Sequence, residues 1–202
     1  MEVAEIAGTI VFAISGVLAV AGRKLDWFGA LVVGVVTAVG GGTMRGLILG
    51  ETPVFWIEDQ NYLLFALIGS IAAIPLARTF SGSQPRFESS LQLADALGLA
   101  LFAIVGASVT LELGFDGSIA VICGILTGVG GGVIRDLLAG QTPLIMRSEI
   151  YATAALAGTI LFVLMFDTLG TSHWVASAVG ILTIFGLRMA GLRQSWELPK
   201  LS

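Results

Sequence analysis

TAVGGGTMRGLILGETP, Thr37 to Pro53, returns 90 positions later as TGVGGGVIRDLLAGQTP, Thr127 to Pro143. Each copy sets three consecutive glycines in an apolar run, with an arginine three residues after the last glycine. A glycine inside a helix costs about 1 kcal/mol relative to alanine. A charge inside hydrocarbon is costly as well. A chain that does both twice builds a pair of deformable, polar sites within a membrane. Composition supplies the membrane. The chain is 56% hydrophobic and 12% charged, whereas soluble domains carry about 25% charged residues.

Working outward, seven apolar runs are long enough to cross the hydrocarbon of a bilayer. They cover residues 6–22, 27–49, 61–77, 94–110, 118–139, 151–167 and 174–190. The fold class is an all-α integral membrane protein. Three segments follow: a first three-helix repeat with its connecting loop over 1–90, a second over 91–168, and a seventh helix with a tail over 169–202. The longest polar connection runs from Arg78 to Ser90. The single cysteine, Cys123, excludes a disulfide within the chain and reads as a small core residue.

Charge sets the orientation. Glu2, Glu5, Glu51, Glu58, Asp59, Glu112 and Asp116 fall on one side, without Lys or Arg. Arg23, Lys24, Arg78, Arg86, Arg147, Arg188, Arg193 and Lys200 fall on the other, eight of the ten basic residues. Basic residues mark the cytoplasmic side. The N-terminus is therefore expected outside and the C-terminus in the cytoplasm of a plasma-membrane protein. The acidic start, followed by Arg23 and Lys24 after the first apolar run, is unlike a secretory signal peptide. Trp27, Trp56, Trp174 and Trp196 fall near the expected interfaces.

The repeat reaches beyond the glycines. From Phe12–Pro53 to Phe102–Pro143, 17 of 42 positions are identical without a gap. Each copy holds three spans, so the second copy starts from the opposite face and the repeat is inverted. Inverted repeats are a transporter and channel device.

For Gly40, Gly41, Gly42 and Gly130, Gly131, Gly132 two readings stand. The triplets bend spans two and five and line a pathway with exposed carbonyls, or they let helices pack closely. Arg45 and Arg135 either line that pathway, or pair and snorkel to the interface. Thr37 and Thr127 either bend their own helices or line the path. Asp136, whose counterpart is Gly46, needs a partner: a hydroxyl such as Ser108 or Thr110, or an arginine. It is not required to pair with its neighbour Arg135. It acts as a gating element or as a fixed polar clamp. Glu58 and Asp59 concentrate cations at an entrance or are solvated loop charges. His173 is expected solvated in an outer loop. No hydrolase, metal-ligand or phosphate-loop motif is present, so no enzyme activity, cofactor or metal is expected. No basic, aromatic-laced patch points to nucleic acid.

Phe12-Ala13-Ile14-Ser15-Gly16, Asp26-Trp27-Phe28-Gly29 and the segments Gly40–Pro53 and Gly130–Pro143 resemble the trimeric intracellular cation (TRIC) channel family, in its prokaryotic members. The same family is catalogued under glycine transport. The resemblance implies a homotrimer in the lipid bilayer, with a pore in each protomer lined by spans two and five. It implies conduction of monovalent cations, chiefly the potassium ion, and a gate near Arg135-Asp136. Animal members carry Lys-Glu-Val and a phosphoinositide site where this chain has Arg135-Asp136-Leu137, so lipid regulation is not expected. The alternative is a secondary transporter of a small zwitterion such as glycine, its carboxylate held by Arg45 or Arg135. A third possibility is a non-conducting scaffold.

Overall fold

The computed structural model describes residues 2–23, 25–80, 84–147 and 150–194. Lys24, Trp196 and Lys200 lie outside them. All regular structure among the described residues is helical. Helix α1 spans Glu2–Ala19, α2 Trp27–Leu49 and the short α3 Phe55–Glu58. Helix α4 spans Asn61–Phe80, α5 Gln84–Glu112 and α6 Gly117–Leu138. A 3-10 turn at Leu144–Met146 leads to α7, Ala152–Val163, which continues as a π turn over Leu164–Thr168. Helix α8 spans His173–Gln194.

Helices α2, α4, α5, α6 and α8 are long and apolar enough to cross a membrane, and α1 and α7 are shorter apolar helices. Large apolar side chains stay uncovered on the outside of the bundle, Leu182 at 68% and Trp174 at 73% exposure among them. Such a surface suits lipid rather than water. The chain is a multi-pass membrane protein.

The connection expected from Arg78 to Ser90 is mostly helix. Helix α4 continues to Phe80 and α5 starts at Gln84. Pro85 explains the start, because a first-turn residue has no helical use for its N–H. The 29 residues of α5 run about 43 Å at 1.5 Å per residue. That exceeds the hydrocarbon thickness of about 30 Å, which leaves length for polar first turns beyond it.

The two glycine helices end alike. Asp26 caps α2 by accepting from Gly29 N at 2.7 Å, and Asp116 takes the same place before α6. Gly50 and Gly140 adopt φ of 76° and 63°, the left-handed turn that ends many helices. The next residues fold back, with Glu51 N donating to Gly46 O and Gln141 N to Asp136 O, both at 2.8 Å.

Helices α1, α2 and α4 pack on one another, as do α5, α6 and α7, and α8 covers α5 and α7. The halves join where α2 crosses α6 and α1 meets α5. The joint is reciprocal. A Cβ on Gly41 would lie 2.1 Å from Thr127 O, and one on Gly131 would lie 2.4 Å from Thr37 O. Gly40 faces Ile134, and Gly130 faces Met44. Phe12 lies against Gly98 and Phe102 against Gly8, with the two rings 5.2 Å apart. Each contact recurs with the partners exchanged at an offset of 90, as a local two-fold relation requires.

Both helices remain unbroken through their triplets. The glycines here serve close packing: the backbone of one helix fills the space a side chain on the other would need. Gly41→Ala and Gly131→Ala should each therefore destabilise by about 1–3 kcal/mol, the cost of overpacking. Gly186, where an added Cβ meets nothing within 4 Å, should tolerate alanine. Thermal unfolding of the purified protein checks the contrast; equal melting points for all three variants would contradict it.

Candidate functional site

Two polar sites flank the glycine crossing. Between them, Thr37 Oγ1 donates to Val33 O and Thr127 Oγ1 to Cys123 O, both at 2.6 Å. These hydroxyls are spent inside their own helices, while the carbonyls of the same residues face the opposite glycines.

The first site lies where α1 begins and α2 ends. Arg45 is only 5% exposed. Its Nε pairs with Glu51 Oε2 at 3.3 Å. The Tyr62 hydroxyl donates to Glu5 Oε2. Glu5, Gly42, Arg45, Phe55 and Tyr62 line a cavity of about 30 Å³. A cavity needs about 10–15 Å³ to hold one water, so this one has room for water or a small ion.

The second site lies where α1 and α6 end and α7 begins. Arg135 is fully buried. Its Nη1 contacts Asp95 Oδ1 at 2.7 Å and Ser15 Oγ at 2.6 Å, and its Nε contacts Asp136 Oδ1 at 2.8 Å. Asp136 Oδ2 accepts from Leu144 N at 2.9 Å, which ties the loop after α6 to the cluster. The Tyr151 hydroxyl donates to Asp95 Oδ1 at 3.2 Å. The Arg188 guanidinium lies over the Tyr151 ring, 5.0 Å from its centroid, and Nη1 donates to Ile150 O. Asp95 Oδ2 and Arg135 Nη2 are buried without a hydrogen bond. This end of the crossing is dense with charge.

Comparison with known proteins follows the same two-part pattern. The family described as Glycine transporter matches this chain twice, over residues 2–78 and 92–167. The UPF0126 inner membrane protein YadS of Escherichia coli K12 is 43% identical over 197 residues, covering 96% of this chain and 93% of that protein. A TRIC trimeric intracellular cation channel orthologue from Rhodobacter sphaeroides superimposes with a TM-score of 0.88 at 39% identity, over 96% of this chain and 97% of that one. The chain belongs to the TRIC family. A second prokaryotic TRIC channel superimposes equally well, at 0.88 with 32% identity over 98% of both chains.

Within this TRIC protein the sequence expectations fare unevenly. The glycines, threonines and arginines after each triplet do come together around one crossing. Asp136 takes an arginine, one of the alternatives left open, and that arginine is its neighbour Arg135: the side chain is long enough to fold back along its own helix. Ser108 and Thr110 are not its partners. Ser108 lies 2.7 Å from His173 Nε2, and Thr110 donates to Gly106 O. His173 is accordingly not a solvated loop residue; it opens α8 and packs edge-on against Phe162 and Phe166. Arg188, grouped with the basic loops, is buried. Glu58 and Asp59 are exposed, and Cys123 is buried.

Asp95, Tyr151, Ser15 and Glu51 were not singled out for this site. Asp95 carried a usable signal: it is an acid inside an apolar span, and it stands at the repeat position of Glu5. The two ends should respond differently to truncation. Asp95→Ala leaves Arg135 buried beside a single carboxylate and should cost about 3–5 kcal/mol. Glu51 is 27% exposed in its side chain, so Glu51→Ala should cost about 1 kcal/mol or less. Thermal unfolding ranks the two; a larger loss at Glu51 would overturn the assignment of the stronger pair.

Proposed function

We propose that the chain is a monovalent cation channel, with potassium its chief ion and a pathway inside each protomer of a homotrimer. Helices α1, α2, α4, α5, α6, α7 and α8 would cross the plasma membrane as two inverted three-helix repeats and a seventh helix. The N-terminus would lie outside and the C-terminus in the cytoplasm. The pathway would run along α2 and α6 past Thr37, Thr127 and the triplets Gly40–Gly42 and Gly130–Gly132. Those triplets would bend as it opens, with Arg45 toward one mouth and the gate at Arg135-Asp136.

The observation that carries this reading is that the arginine after each glycine triplet is neutralised. A bare arginine would repel potassium. Here Arg45 is paired with Glu51, and Arg135 with Asp95 and Asp136, so neither presents an uncompensated positive charge. The reciprocal contacts across the crossing, the double family match and the channel named in the Rhodobacter sphaeroides relative all support it. The inner-membrane relative and the sided charges support the location.

Transport of a small zwitterion is the second reading, favoured by the description of the matched family. It requires Arg45 or Arg135, each already beside a protein carboxylate, to take a second carboxylate, a repulsion that a cation does not incur. Purified protein in liposomes separates the two. Potassium efflux with single-channel steps under voltage is the expected result. Saturable glycine exchange without such steps would replace the channel with the transporter. In the same assay Asp136→Asn should raise open probability, because it removes the charge holding Arg135 Nε and weakens the tie to Leu144. Unchanged open probability would remove Asp136 from the gate.

A further inference from the structure

The two polar sites are versions of one another. At an offset of 90, Glu5 matches Asp95, Gly42 matches Gly132, Arg45 matches Arg135, and Phe102 and Val105 match Phe12 and Ser15. A tyrosine at or next to the start of the third helix of each half, Tyr62 or Tyr151, donates its hydroxyl to the acid. The parts agree, but the arginines do not. Arg135 sits on Asp95. Arg45 does not pair with Glu5; it turns to Glu51. The cavity is on the side where the arginine has turned away.

Two substitutions between the halves account for the difference. Position 51 is a glutamate and its counterpart, 141, is a glutamine. The backbone hydrogen bond is the same at both, each N–H returning to a carbonyl at 2.8 Å, so a carboxylate is offered at one end and withheld at the other. Position 46 is glycine and its counterpart is Asp136. Asp136 takes Nε of Arg135 and leaves Nη1 directed at Asp95. Gly46 offers Arg45 no such hold. Both differences push Arg45 off its acid and Arg135 onto its own.

From this we infer that Glu5 forms a cation-binding site at this end of the pathway, and that Glu51 keeps it available by holding Arg45 away. The Glu5 carboxylate, braced through one oxygen by Tyr62, and the Tyr62 hydroxyl are the oxygen ligands a partly hydrated monovalent cation would take. Glu51 is a positioning residue: it need not touch the ion. When Arg45 is released it occupies Glu5 as Arg135 occupies Asp95, and the site closes. The inference deepens the channel reading and rests on it.

Potassium efflux from liposomes is measured for wild type, Glu51→Gln, Glu51→Asp and the double variant R45Q/E51Q. Glu51→Gln should lower efflux by about tenfold, since only a minor population then keeps the site open. Glu51→Asp should stay near wild type, and the double variant should recover most of the loss, there being no arginine to swing. A Glu51→Gln variant that conducts normally, or a double variant as poor as Glu51→Gln alone, overturns the inference. Should Glu51→Gln fail to fold, Gln141→Glu tests the same rule at the other end. It should raise efflux by drawing Arg135 from Asp95, and unchanged efflux overturns the rule. If wild type passes no potassium, the channel reading fails, and the arginine swing is tested without flux. A double-mutant cycle of Arg45→Gln with Glu5→Gln, read by thermal unfolding, should show no coupling in wild type and clear coupling in the Glu51→Gln background. Equal coupling in both overturns it.

Discussion

Backbone touches backbone where α2 crosses α6, and the two polar sites that flank it are placed by that contact. Gly41 lies under the carbonyl of Thr127 and Gly131 under that of Thr37. In lipid there is little hydrophobic force to drive helices together, so small residues and close van der Waals contact do that work. Arg45 and Arg135 each follow their triplet by three residues, about 4.5 Å along the axis. The helices are related by exchange, so the same three-residue step carries the two arginines to opposite ends. The crossing thus separates two polar sites as well as joining two halves.

How each site treats its charge follows from burial. Arg135, Asp95 and Asp136 are removed from solvent together and pair through short contacts, with Ser15, Tyr151 and Leu144 N as further hydrogen-bond partners, while Asp95 Oδ2 and Arg135 Nη2 stay without one. A cluster that dense tolerates little rearrangement in part, since each member left behind would be a buried charge or dipole without compensation. Arg45, itself buried, meets the partly exposed Glu51 through a single 3.3 Å contact.

Much of this was legible in the sequence. The all-helical membrane fold and the paired glycine–arginine segments are written in composition and in a gapless repeat. The polar connection was misjudged because polarity alone does not end a helix, and Pro85 favours a start where a loop was expected. The Asp136 partner stayed open between a hydroxyl and an arginine because angular spacing describes where a side chain leaves the helix, not where a long guanidinium ends. Asp95 escaped notice because its partners, Arg135 and Tyr151, are 40 and 56 residues after it in the chain; only the fold brings them together. The glycine triplets had two open readings, and packing is the role visible in the contacts of Gly41 and Gly131. Their part in bending belongs to motion.

The exchange of partners at the crossing has a consequence for how such a chain could arise. Gly41 needs a threonine carbonyl from the other half, and Gly131 needs the same thing from the first. A single half, made as a separate polypeptide and inserted in both orientations, could offer each of these surfaces to a second copy of itself. Fusing the two copies would lock one of each orientation into every molecule. Only then could the copies drift apart at single positions, with glycine kept at 46 and aspartate at 136, and the two faces of the membrane come to be told apart.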